Sequence, residues 1–84
     1  MNHQKTSEIH LIQTPKALLA TGTLPGIEHI EADIQENNIT LTLHTKNTEA
    51  QQTIPLPRKI NTELTIITYQ NNELRMVMPW RNEQ

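Results

Sequence analysis

Histidine and carboxylate side chains are the groups in this chain best equipped for chemistry, and their positions decide what that chemistry is. His3, His10, His29 and His44 are the imidazoles. Their spacing fits no standard ligand motif, so they read as solvated or loop histidines and no metal is expected. Glu28, Glu31, Asp33 and Glu36 form an acidic group suited in principle to a cation or a basic partner. Their alternation with Ile30, Ala32 and Ile34 gives the simpler reading, the wet face of a strand. Ser7 is the only serine and cysteine is absent, so no nucleophile stands beside a histidine and thiol chemistry is excluded. Asn38-Ile39-Thr40 matches a glycosylation acceptor, but the sequence shows no secretory signal to give it meaning. With no glycine-rich phosphate loop and no paired carboxylates in a cleft, neither an enzyme nor a cofactor is expected.

The elements that must position these residues are short strands. Ile9 and Leu11, then residues 17–23, read as two strands about the turn Thr14-Pro15-Lys16. Pro25-Gly26 ends the second one, because proline donates nothing to a ladder and glycine frees the backbone. Ile30, Ala32 and Ile34 alternate with polar residues, and Asn37-Asn38 closes a hairpin onto Ile39, Leu41 and Leu43. Residues 46–52 read as a polar link, and residues 53–56 as a short edge strand carrying Pro55, with Pro57 just beyond. Residues 58–61 turn the chain into a last hairpin, with strands over residues 64–69 and 74–78 joined by Asn71-Asn72 and stopped by Pro79. Strands this short, separated by turn signals, predict an all-β sandwich or barrel.

This order of strands and corners resembles the α-crystallin domain, the β-sandwich of the small heat-shock proteins. The family's last hairpin commonly reads A-x-Y-x-N-G-V-L, followed by alternating apolar residues and Leu-Pro. Tyr69, Asn71, Leu74, Met76, Met78 and Pro79 fall on that pattern without a gap. Ile54-Pro55-Leu56-Pro57 resembles the family's Phe-x-Leu-Pro strand end, and Leu24-Pro25-Gly26 its early corner. Asn72 replaces the usual glycine, Glu73 an apolar residue and Ile67 a small alanine; asparagine also visits the left-handed region, so the turn survives. The resemblance spans residues 8–79.

The resemblance implies an immunoglobulin-like antiparallel β-sandwich of about seven short strands. It also implies an ATP-independent holdase that binds unfolding client proteins, and possible association with other small heat-shock proteins. By the same comparison Ile30, Ala32, Ile34, Leu64, Ile66 and Thr68 would line a groove that receives an extended segment from a neighbouring chain. The alternative is a protein-protein interaction or assembly module with one specific partner, favoured by the missing family arms and by the near absence of aromatic residues, one Trp and one Tyr. The expected layout is a tail over residues 1–7, the sandwich over 8–80 and a tail over 81–84. A short 46–52 link leaves little room for the family's exchanged strand, so a monomer or a small oligomer such as a dimer is expected.

Composition narrows the partners independently. A chain of 84 residues makes one domain of modest stability, without room for a large catalytic pocket. A net charge of −2 with seven scattered basic residues argues against nucleic acid. No apolar run is long enough to span a bilayer or to serve as a leader core, so a cytoplasmic protein without membrane contact is expected. Trp80, just past the last strand, is expected to pack against the end of the sandwich.

Overall fold

Turn chemistry decides where the strands begin and end. Asn71 and Asn72 take φ of 55° and 66°, the left-handed conformation that a two-residue hairpin needs and that asparagine tolerates. Gly26 (φ 79°) supplies the same freedom at the Leu24-Pro25-Gly26 corner. At the first turn the Thr14 amide donates to the Ala17 carbonyl at 2.9 Å, and the Ala17 amide donates to Thr14 Oγ1 at 3.0 Å.

The computed structural model describes residues 8–82, so the tail expected over residues 1–7 and the last two residues lie outside it. Seven strands follow one another: β1 (Glu8–Gln13), β2 (Ala17–Thr23), β3 (His29–Ile34), β4 (Asn38–His44), β5 (Glu49–Pro55), β6 (Ile66–Gln70) and β7 (Glu73–Pro79). All pairings are antiparallel, in a four-stranded sheet ordered β1-β2-β7-β6 and a three-stranded sheet ordered β3-β4-β5. This is the all-β sandwich of about seven strands that the sequence predicts.

The register sorts side chains between a dry and a wet face. On the four-stranded sheet Leu18 pairs with Met78 and Ala20 with Met76, and all are buried. Ile39, Leu41, Leu43 and Ile54 answer from the other sheet, in one cluster with Leu24, Ile60, Leu74 and Trp80. Met76, Met78 and a set of branched aliphatics fill the space that phenylalanine, absent here, would usually take.

Two expected boundaries move. Residues 49–52, read as polar link, are the first half of β5: their composition carries no strand signal, but Leu41, Thr42, Leu43 and His44 offer them a ladder. The link shrinks to a turn in which the Thr45 amide donates to the Thr48 carbonyl at 2.9 Å and the Thr48 amide to Thr45 Oγ1 at 3.1 Å. Leu64, expected in a strand, ends a 3-10 turn (Thr62–Leu64) whose first turn is capped by Asn61 Oδ1 accepting from the Glu63 amide. The last strand is fixed at its end by Trp80, which is buried and donates Nε1–H to the Thr14 carbonyl at 2.8 Å. Arg58 covers its ring at 4.7 Å, and Arg81, expected in the tail, donates its amide to Lys59 and pairs with Glu36.

Leu41 is fully buried on the central strand of the smaller sheet. Leu41→Ala is expected to cost about 2–5 kcal/mol, read as a lowered urea midpoint with little change in slope.

Candidate functional site

Four strands are sheet edges, β1 and β6 on one sheet and β3 and β5 on the other. Among the described residues each leaves one row of backbone N–H and C=O groups without a ladder partner, the basis of strand addition. β5 is blunted by Pro55 at its end. The connection out of β2 brings the β3 and β6 edges to one side of the sandwich. Leu24 donates its amide to the Asn72 carbonyl in the β6–β7 turn at 2.8 Å, and the Tyr69 hydroxyl of β6 donates to the Leu24 carbonyl. The chain then passes Gly26 and enters β3, anchored by the Glu28 amide on the His44 carbonyl at 2.8 Å.

On β3, Ile30, Ala32 and Ile34 pair with Leu43, Leu41 and Ile39, so all three are on the core-facing side. Their partners are buried, yet Ala32 is exposed and the two isoleucines are only half-buried while packing on the core. On β6 the core-facing residues are Ile67 and Tyr69, opposite buried Met76 and Leu74, and they too are half-buried. The core is therefore open at these two edges, with an apolar rim.

The register divides the six residues expected in one groove. Ile30, Ala32 and Ile34 stand together on the core-facing rim. Ile66 and Thr68 face outward, opposite exposed Val77 and Arg75, because a strand alternates its faces with every residue. Leu64 is in the 3-10 turn and is 59% exposed. Ile67 and Tyr69 take the core-facing places on β6; the sequence shows apolar residues on both faces of this strand but does not say which face is inside.

A second apolar feature crosses the outer face of the four-stranded sheet. Ile12 pairs with Leu19, Leu19 with Val77 and Val77 with Ile66, one row over all four strands. Ile12, Val77 and Ile66 are 53%, 40% and 57% exposed. Such a row costs solubility unless something uses it.

By sequence, neither a protein-family model nor a curated protein matches the chain. By structure it superposes on heat shock protein 16.0 of Schizosaccharomyces pombe with a TM-score of 0.78, at 13% identity over 93% of this chain and 68% of that one. The fold is that of the small heat-shock proteins. HSP18.5 of E. histolytica matches with a TM-score of 0.74 (13% identity, 93% and 90% coverage). A small heat-shock protein of Xylella fastidiosa matches at 0.76 (14% identity, 98% and 92% coverage). The α-crystallin-type sandwich that the hairpin and corner motifs resemble is thus the architecture of this chain.

Adjacent residues on β6 give a direct test of the faces. Ile66→Glu is expected to shift stability by less than about 1 kcal/mol, whereas Ile67→Glu, which sets a carboxylate against the core, costs about 2 kcal/mol or more by urea denaturation.

Proposed function

We propose that the chain is an ATP-independent holdase that takes up extended segments of unfolding proteins at the β3 and β6 edges. The observation that carries this reading is the open apolar rim: Ile30, Ala32 and Ile34 on β3, Ile67 and Tyr69 on β6, core-facing by register and still within reach of solvent. An added strand would bond to free edge backbone whatever its sequence, which suits a binder of many clients. Its alternate side chains would then meet two rows of β6. One row is Ile67 and Tyr69, the other Ile66 and Thr68, with Leu64 extending the apolar surface beyond the strand end. Of the six residues expected to share one groove, Ile30, Ala32 and Ile34 line the rim, whereas Ile66, Thr68 and Leu64 flank it from the outward face and the strand end.

The likeness to small heat-shock proteins supports a chaperone role, and the chemistry asks for nothing further, since strand addition needs neither nucleotide nor cofactor. On this reading the partners are unfolding proteins or other small heat-shock proteins, with no part for nucleic acid or membrane. The working unit is a cytoplasmic monomer or small oligomer such as a dimer. A second reading, a module for one specific partner, is favoured by the Ile12–Leu19–Val77–Ile66 row, whose fixed shape suits a defined surface better than a disordered chain.

Heat-induced aggregation of a model client, followed by light scattering without ATP, separates the two. Protection is expected near equimolar ratio and is lost in Ala32→Arg, which places a charge on the rim, while Val77→Arg retains it. No protection at large excess from folded protein, or loss in Val77→Arg alone, moves the assignment to the specific-partner module.

A further inference from the structure

Basic residues far apart in the chain converge at one end of the sandwich. The segment after β5 runs antiparallel to the chain leaving β7, with a bridge between Ile60 and Trp80. The Asn61 amide donates to the Pro79 carbonyl at 2.7 Å, and the Arg81 amide to the Lys59 carbonyl at 2.8 Å. Ile60 and Trp80 are buried on the inner side of this short ribbon, so by alternation Lys59 and Arg81 stand opposite each other on its outer side. Arg58, Lys59, Arg81 and Asn82 line one solvent-open cavity of about 470 Å³, with no side chain moved. The turn that carries Lys16 adjoins them, its Lys16 carbonyl accepting from the Trp80 amide at 3.1 Å.

Like charges directly opposite each other across a ladder repel, so three cations around one cavity cost the fold stability rather than supply it. Glu36 is beside them because its carbonyl accepts from the Ile60 amide at 3.2 Å, and its carboxylate pairs with Arg81. Among the described residues the ion pairs include neither Arg58 nor Lys59. These cations are nevertheless held in place. Arg58 lies 4.7 Å over the Trp80 ring, and Trp80 is itself tied to the Thr14 carbonyl through Nε1 at 2.8 Å. A guanidinium resting on an aromatic face keeps its in-plane N–H fork free to donate. Arg81 is anchored by its amide and by Glu36.

We infer that this cavity binds a phosphate monoester, a small molecule whose dianionic phosphate sits among Arg58, Lys59 and Arg81. Two cations left without a carboxylate match a dianion, and arginine forks match the spacing of phosphate oxygens. Asn82 adds a neutral donor. The volume lies within the range of about 300–1,000 Å³ typical of small-molecule sites, so the organic part of an ester has room beside its phosphate. The basic residues form a compact group and not a stripe, which suits one phosphate and not a nucleic-acid backbone. Glu36 competes for Arg81 and so stands in for part of the ligand's charge. The site uses none of the rim residues of β3 and β6 and is independent of the client-binding reading.

Chemical-shift titration of the isotope-labelled full chain at constant ionic strength tests the site, with glucose 6-phosphate, inorganic phosphate and glucose as probes. Saturable shifts at the amides of residues 58–59 and 81–82 are expected with glucose 6-phosphate, weaker binding with inorganic phosphate and no shift with glucose. Lys59→Gln, which leaves the Arg58–Trp80 and Arg81–Glu36 contacts in place, should weaken binding about fivefold or more, and Arg81→Gln likewise. Arg75→Gln, on the outer face of the four-stranded sheet, should bind as the parent does. Glu36→Gln should tighten binding severalfold, an effect that a purely structural ion pair would not give. Circular dichroism checks each fold; should Arg81→Gln unfold, Lys59→Gln decides by the same criterion. Inorganic phosphate binding as tightly as the ester overturns the ester and leaves free phosphate as the ligand. No saturable shift with either phosphate at tens of millimolar, or binding that survives Lys59→Gln unchanged, overturns the site.

Discussion

Two central strands hold the rest in place. Leu74, Met76 and Met78 of β7 and Ile39, Leu41 and Leu43 of β4 belong to one buried cluster, and each is flanked in its own sheet by a strand on either side. Sheets of four and three strands can shelter only their interiors. The outermost strands contribute core-facing residues that are half covered, as Ile30, Ile34, Ile67 and Tyr69 are. A chain this short buries a smaller fraction of its surface than a larger domain does, and without phenylalanine it has few side chains able to reach across an open edge. The open rims therefore follow from the size and composition of the chain as much as from any demand of function.

The two outer faces differ in a way that bears on what the molecule contacts. On the four-stranded sheet the row Ile12–Leu19–Val77–Ile66 is apolar, while on the three-stranded sheet Thr40 and Thr53 bond through their hydroxyls at 3.2 Å, and His29, His44, Glu31 and Glu49 gather at one end. One outer face thus carries an apolar row and the other a polar one, with the mixed edges between them. Trp80 fixes this geometry at the far end: its Nε1–H on the Thr14 carbonyl and its backbone bridge to Ile60 tie the first turn, the β5–β6 connection and the last strand together.

Much of the fold was legible in the chain. The alternation over Ile30, Ala32, Ile34 and over Ile39, Leu41, Leu43 gave β3 and β4 their core-facing sides, and the Asn71-Asn72 pair gave the last hairpin its turn. What was hidden depends on partners distant in sequence. Residues 49–52, with Ala50 as their one apolar member, become strand because β4 presents a ladder to them. Leu64 leaves the strand because the Asn61 cap starts a 3-10 turn first. With apolar residues on both faces of β6, only its pairing with β7 decides that Ile67 rather than Ile66 is inside. The histidine cluster was invisible for the same reason: register, which the chain interval does not encode, places His29 beside His44.

On the proposed reading an unfolded chain docks along the β3 and β6 edges, and chemical-shift mapping tests that directly. Isotope-labelled protein would be titrated with a reduced, permanently unfolded client while backbone amides are followed. Perturbations concentrated in β3 and β6, at Ile30, Ala32, Ile34, Ile67 and Tyr69, are the predicted result. Shifts confined to the outer row of Ile12, Leu19 and Val77, with β3 unmoved, would contradict it.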